Sequence, residues 1–384
     1  FAPGFRRGGK KDAMLIRQAC NLAENANIVL LWLGLDEGGE AEGVDRPDMK
    51  LPENQTALLN ALVEVNPNIV VVLSCGCAVE MDWDSKAKAV IHGYLGGQAG
   101  ALAMAKLLTG EATPCGKLSE TVPMCYEDVS SAPYYPGVEA TSEYREGIYV
   151  GYRYFDTAKR EVKYPFGYGL SYTEFEYSDL SITEDAVRFT VRNIGSVCGE
   201  EVAQLYIHAA TNGMFRPEQE LKGFAKVSLN PGEEKQVTIA LNDRSFAVWS
   251  ILENDWIVES GSYELRIGAS SRDIRLTAEV QKAGSVANPY AGDVFAPYYS
   301  GEVQKISDES FAALLGHAIP PAKWDRNAPI GFNDTISQGE YLEGGIGKGI
   351  YNLIAFVRNV LMALEKKELG NNVMFVMNLP WRGV

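Results

Sequence analysis

Between residues 12 and 125 the apolar positions alternate between two rhythms. Asp12 to Asn25 and Asn54 to Val65 repeat apolar residues every three or four positions, as helices do. Asn27 to Gly34 (NIVLLWLG), Asn68 to Ser74 (NIVVVLS) and Ala89 to Leu95 are instead short and almost continuously apolar, as strands covered on both faces are. Gln98 to Thr109 reads as a further helix, with Gly110 placed to end it in the left-handed conformation. β and α elements alternating through long connections predict a parallel sheet with helices on both faces, joined by right-handed crossovers. Residues 1–125 are therefore expected to form an α/β sandwich domain.

Both rhythms break over residues 126–177, where eleven of the nineteen tyrosines fall among prolines and glycines, and a connecting segment is expected there. From residue 178 to 281 the period becomes two: Val187 to Arg192, Val202 to His208, Val237 to Leu241, Tyr263 to Ile267 and Ile274 to Val280 alternate apolar with polar. Turn signals at Asn193 to Gly195, Asn230-Pro231-Gly232 and Ser260-Gly261 separate them, which predicts an antiparallel β-sandwich. Residues 282–384 return to helical patterns as a C-terminal extension. Ser307 is placed to cap a short helix ending at Gly316. Ile350 to Leu369 reads as one longer helix with Leu353, Val357, Val360, Leu361 and Leu364 on one stripe, docked on a neighbouring domain, and Gly370 as its stop.

Charge and composition narrow the function. With 46% apolar residues the chain is rich enough to bury cores, and its net charge of -15 argues against a nucleic-acid partner. The apolar run from Ile350 to Leu364 is interrupted by Asn352, Arg358 and Asn359 and falls short of the ~18 uncharged residues of a membrane span, so no membrane partner is expected. Six cysteines in 384 residues are too few for a disulfide scaffold and fit reduced thiols, hence a bacterial cytoplasmic location.

Ligands of an open parallel sheet bind beyond the carboxyl ends of its strands. The first such end carries Leu35 to Arg46 (LDEGGEAEGVDR), with five acidic residues and three glycines in twelve positions. Like charges crowded on one loop raise one another's pKa values unless a cation such as Arg46 intervenes, and a carboxyl kept protonated is what a general acid needs; a solvated acidic loop is the plainer reading. The second strand end, Ser74 to Asp84, holds Cys75 and Cys77, whose spacing is wrong for a zinc knuckle and reads as two small buried thiols. Gly344 to Gly349 lacks the Ser or Thr that follows the Lys of a phosphate loop and reads as a plain loop. His92, His208 and His317 lie in three separate regions. No metal site and no cofactor is expected.

Several strings together carry a more specific signal. Glu42-Gly43-Val44-Asp45-Arg46 followed by Leu51-Pro52, Asn68 to Ser74, and Pro114-Cys115-Gly116-Lys117-Leu118 resemble the C-terminal half of β-glucosidases of glycoside hydrolase family 3, as do Tyr144 to Asp156 and Pro165 to Thr173. Arg216 to Phe224 and Gly268 to Ile274 resemble that family's fibronectin type III-like domain, and the match runs in order from Phe1 to about Gln281. The resemblance implies an α/β sandwich with a mostly parallel six-stranded sheet, followed by an all-β fibronectin type III-like sandwich.

It further implies retaining glycoside hydrolysis, in which one carboxylate attacks the anomeric carbon and a second carboxyl, ~5–5.5 Å away, protonates the departing oxygen. By position in the motif that proton donor is Glu42, in preference to Glu40 or Glu80, with Val44 standing where the family has an aromatic residue. The family's nucleophile is an aspartate on a β/α barrel domain, for which this chain has no room; Met81-Asp82-Trp83 is not assigned that role. The chain is then expected to be inactive alone and to need that barrel, on another chain or an upstream segment, to act on β-linked oligosaccharides or aryl glucosides; a homo-oligomer is compatible. Tyr134, Tyr135 and Tyr144 are candidates for the rim of the site, since aromatic faces pack on sugars, against the alternative that these rings join the two sandwiches; Arg145, Glu146 and Arg153 read as a structural charge cluster. The rival reading of the whole chain is a non-catalytic sugar-binding or assembly module.

Overall fold

The computed structural model describes residues 1–36, 39–41, 45–211, 213–364 and 366–383. They gather into two compact units, one made of Phe1–Gly100, Tyr135–Glu143 and Pro320–Val384, the other of Ala101–Tyr134 and Tyr144–Ile319.

In the first unit, α1 (Ala13–Ala23) starts at Asp12, whose Oδ1 accepts from the amides of Met14 (3.0 Å) and Leu15 (3.2 Å). β1 (Val29–Gly34), α2 (Glu53–Val65), β2 (Ile69–Ser74) and β3 (Ala89–His92) follow. The strands are parallel in the order β1-β2-β3, with Val29 opposite Ile69, Gly34 opposite Ser74 and Leu73 opposite His92. Leu31 and Leu33 join Leu58, Leu59 and Leu62 of α2 and Ile69, Val71 and Leu73 of β2 among the buried residues.

Two expectations change here. Among the described residues the parallel sheet has three strands rather than six. β1 is also not covered on both faces: Leu30 and Trp32 are 46% and 50% exposed. The pleat sends alternate residues to opposite faces, and a continuous apolar run does not say whether each face is covered.

The second unit begins at Ala101, within α3 (Gly100–Thr109), which ends at Gly110 with φ +76°, in the left-handed region. The tyrosine-rich stretch is more ordered than expected: β4 (Val122–Pro123) pairs antiparallel with β5 (Val162–Tyr164), and α4 (Tyr152–Thr157) lies between them in sequence. Its rings are core material. Tyr149, Tyr154 and Phe155 bury themselves against Phe215, Phe295, Tyr298, Val303 and Phe311. Burying rings of that size supplies enough apolar area to order a segment that has little hydrophobic periodicity.

The β-sandwich follows as β6 (Phe175–Ile182), β7 (Ala186–Asn193), β8 (Gly199–Ala210), β9 (Glu220–Leu229) and β10 (Glu234–Ala240). After the short helix α5 (Asp243–Phe246) and the hairpin of β11 (Val248–Ser250) and β12 (Asp255–Ile257), it closes with β13 (Gly261–Gly268) and β14 (Ile274–Lys282). One sheet has the order β10-β7-β6 and the other β14-β13-β8-β9, every pairing antiparallel. The inward residues of the alternation, Val187, Phe189 and Val191 against Ala203, Leu205, Ile207, Leu265 and Ile267, form its core. α6 (Ala296–Ser300) and α7 (Asp308–Leu315) complete the unit, the latter capped by Ser307 and closed by Gly316 as the sequence predicts.

The last helices return to the first unit as α8 (Gly345–Ala363) and α9 (Lys367–Met377). The single helix expected over Ile350 to Leu369 is thus two. Gly370 is not a stop but a close approach inside α9, where an added Cβ would lie 2.6 Å from the Met362 sulfur of α8. The glycine-rich stretch expected as a loop forms the start of α8 from Gly345 onward. The stripe of Leu353, Val357, Val360 and Leu364 is exposed on this chain.

Candidate active site at the carboxyl end of the parallel sheet

β1 and β2 end in register, and their approach there is tight. A Cβ on Gly34 would come within 2.0 Å of the Ser74 carbonyl oxygen, so only glycine fits. The buried amide of Gln55 on α2 clamps this end, accepting from the Gly34 amide (2.9 Å) and donating to its carbonyl (2.7 Å). The acidic loop leaves from this fixed point.

Its first turn closes on Asp36, whose Oδ1 accepts from the Gly39 amide (3.1 Å), and Lys367 Nζ of α9 lies 3.9 Å from Oδ2. Glu40 Oε1 then reaches the second strand end, accepting from the Gly76 amide (2.6 Å) and from the Cys77 thiol (3.4 Å). Farther along, Arg46 Nη1 donates to Cys77 Sγ at 2.8 Å, and Tyr135 donates its hydroxyl to Asp45 Oδ1 at 2.5 Å. Residues 40 and 46 are thus both tied to residues 76–77. Glu42, the sequence-derived proton donor, lies outside the described residues, as do Glu37, Gly38, Gly43 and Val44.

Behind this loop His92 ends β3. Its Nδ1 accepts from the Tyr94 amide (3.2 Å), which leaves the proton of the neutral ring on Nε2, 4.0 Å from Cys75 Sγ. The ring stacks on Tyr94 with centroids 3.9 Å apart. Burial lowers the His92 pKa while the charge of Glu40 opposes that shift. Cys75 is buried as expected; Cys77 is partly exposed and contacts both Glu40 and Arg46, a role that its spacing alone did not reveal.

The three tyrosine candidates separate. Tyr135 meets the acidic loop through Asp45. Tyr134 belongs to the second unit, where its hydroxyl accepts from the Ile306 amide (2.8 Å) and the Arg145 guanidinium sits 5.4 Å from its ring centroid. Tyr144, in the same unit, is 75% exposed. Of the charge cluster, Arg145 pairs with Asp308 (2.7 Å) and Arg153 with Glu220 (3.5 Å), while Glu146 is buried. Among the described residues no three metal-ligating side chains converge, and no helix is long and apolar enough to cross a membrane. Sequence reading missed the ties from Glu40 to Gly76 and from Gln55 to Gly34; a polar residue inside an apolar helix face was the one available signal for the second.

Comparison with known proteins gives the same outline. Residues 9–172 match the glycosyl hydrolase family 3 C-terminal domain and residues 201–271 the fibronectin type III-like domain. The thermostable beta-glucosidase B of Acetivibrio thermocellus is 44% identical over 328 residues, which cover 83% of this chain and 43% of that enzyme. An exo-alpha-(1->6)-L-arabinopyranosidase of Bifidobacterium breve is 38% identical over 83% of the chain and 46% of its own length. Among solved structures, the family 3 beta-glucosidase of Bifidobacterium adolescentis superposes with a TM-score of 0.72 at 40% identity, covering 79% of this chain and 46% of that one. The chain spans less than half the length of these relatives.

Proposed function

This chain carries the C-terminal domain of glycosyl hydrolase family 3 followed by a fibronectin type III-like domain, and on that premise we propose that it supplies the general acid/base, Glu42, of a retaining β-glucosidase. The nucleophilic aspartate comes from a β/α barrel outside these 384 residues, and the chain alone does not turn over. In the first half-reaction Glu42 gives its proton to the glycosidic oxygen as the barrel carboxylate attacks the anomeric carbon; in the second, ionised Glu42 takes a proton from the water that releases the sugar. Both steps need only carboxyls and water.

The observation that carries this reading is the placement of the acidic loop. It springs from a rigid strand end, and it is tied back on both sides of Glu42 through Glu40 to Gly76 and Arg46 to Cys77. Glu40, the competing carboxylate, is engaged by a backbone amide at 2.6 Å, a structural duty that argues for Glu42 as the donor. Tyr135 is the aromatic candidate for the rim on this side. Because one relative is a beta-glucosidase and another an arabinopyranosidase, the substrate panel should contain aryl glycosides of both sugars.

The test is chemical rescue in the enzyme that joins this chain to its barrel. On an activated aryl glucoside, azide should restore activity to Glu42→Ala by attacking the glycosyl-enzyme without a base, and should not restore a Glu40→Ala defect. Equal losses in Glu42→Ala with and without azide would remove Glu42 from the role. Calorimetry on the isolated chain adds a second check: tight binding of cellobiose without the barrel would favour a sugar-binding module instead.

A further inference from the structure

In the second unit, a thiol, an amine and a carboxylate meet. Residues 113–117 run beside the start of β8 and are tied there at alternate positions. Thr113 Oγ1 donates to the Cys198 carbonyl (3.0 Å), and Lys117 Nζ reaches Glu201 (3.1 Å) and the Gly169 carbonyl (2.9 Å). Between these ties, Lys226 Nζ of β9 lies 3.1 Å from Cys115 Sγ and 2.8 Å from Glu200 Oε2. Val202 faces Lys226 and Glu200 faces Ser228 in the β8–β9 ladder, so Glu200 and Lys226 are diagonal neighbours on one sheet face. Cys115 is partly exposed and the other two side chains nearly half so, which leaves the sulfur open to a small oxidant.

We propose that Cys115 and Lys226 are a modification site, at which hydrogen peroxide drives a reversible sulfenamide crosslink between segment 113–117 and β9. Peroxide first transfers one oxygen to the Cys115 sulfur, giving the sulfenic acid and leaving the peroxide reduced to water. The ammonium of Lys226 passes a proton to Glu200, and the freed amine attacks the sulfur. An S–N bond forms as the S–O bond breaks, and the hydroxide leaves with the second amine proton as water. Thiol, amine and one peroxide thus become one sulfenamide and two waters. An external thiolate reverses the link by attacking sulfur and expelling the amine.

The surroundings single out this cysteine. Cys77 faces the Arg46 guanidinium, which is no nucleophile. The Cys125 thiol is pushed up to about 11 by burial and by Asp128, and burial also raises Cys20, so both hold their protons. The link would join residues 111 positions apart and so restrict the unfolded chain, raising the melting midpoint.

The test treats the full chain with equimolar hydrogen peroxide and maps the products by intact-mass and tryptic mass spectrometry. The expected result is loss of one of the six thiols and of two hydrogens, a linked peptide containing Cys115 and Lys226, a higher melting midpoint, and full reversal by dithiothreitol. Lys226→Arg keeps the ion pair but should abolish the linked peptide, and Cys198→Ser should leave it in place. A Cys115–Cys198 disulfide, Cys115 sulfinic acid with no linked peptide, or a link that survives Lys226→Arg would each overturn the proposal.

Discussion

Two arginine-carboxylate neighbourhoods show how differently this chain treats charge. At the sheet end, Glu40 and Asp45 stay partly solvated, each held by short bonds from amide, thiol or hydroxyl donors, with Arg46 on the neighbouring Cys77. In the second unit, Glu259 is 2% exposed and Arg216 8%, paired at 3.4 Å, with Glu259 also accepting from the Met214 amide (2.7 Å) and the Thr211 hydroxyl (3.2 Å). A carboxylate beside water keeps part of its hydration, whereas a buried one needs its cation and hydrogen bonds to offset the water it has lost. On the function proposed above, acid/base work would fall to the first neighbourhood, while the second is scaffolding.

The largest effect should come from breaking the buried pair. Arg216→Met takes the arginine away from the buried Glu259, and denaturant unfolding should show a loss of about 3–5 kcal/mol. A loss under 1 kcal/mol would mean that water reaches this pair and would erase the contrast. Next is the clamp under the acidic loop. Gln55→Ala strands the Gly34 amide and carbonyl, and should cost about 1–3 kcal/mol in the same assay.

A third change should stabilise. Glu146 is buried, its Oε2 makes no hydrogen bond, and burial raises its pKa. A carboxyl whose folded pKa is raised holds its proton more tightly when folded, so its contribution is present below the unfolded carboxylate range and is lost as pH rises through the folded value. At neutral pH it is a cost. Glu146→Gln should therefore raise stability by about 1 kcal/mol at pH 7, with little change near pH 4. The smallest effect belongs to the solvated side: Tyr135→Phe removes the bond to Asp45 and should change stability by only about 0.5 kcal/mol.

Much of this layout was legible in the residues. The start of the first helix near Asp12, the cap at Ser307, the strand ends at Gly34 and Ser74 and the alternation through β7, β8 and β13 follow from local rules of capping and period, and they appear where expected. What escaped was non-local. The stretch holding Tyr149 and Tyr154 looked like a connecting loop because their partners Phe215 and Tyr298 lie far along the chain, and only that meeting orders the segment. Gly370 looked like a helix stop because nothing nearby in sequence shows that α8 returns against it. Trp32 looked buried because an apolar run does not state which faces are covered. At the candidate site, the acid-rich strand end could be read directly, but Glu40's bond to Gly76 spans two strand ends and needed the register of β1 on β2.

The central claim is that Glu42 delivers a proton to the leaving group. Its most direct test compares Glu42→Ala with the parent enzyme, barrel included, on two substrates that differ only in leaving group: cellobiose, which needs protonation, and 2,4-dinitrophenyl β-glucoside, which does not. Cleavage of cellobiose should fall by about 10²–10⁴-fold in kcat/KM while the dinitrophenyl substrate, whose bond breaks without a proton, changes little. Equal losses on both substrates would contradict the account.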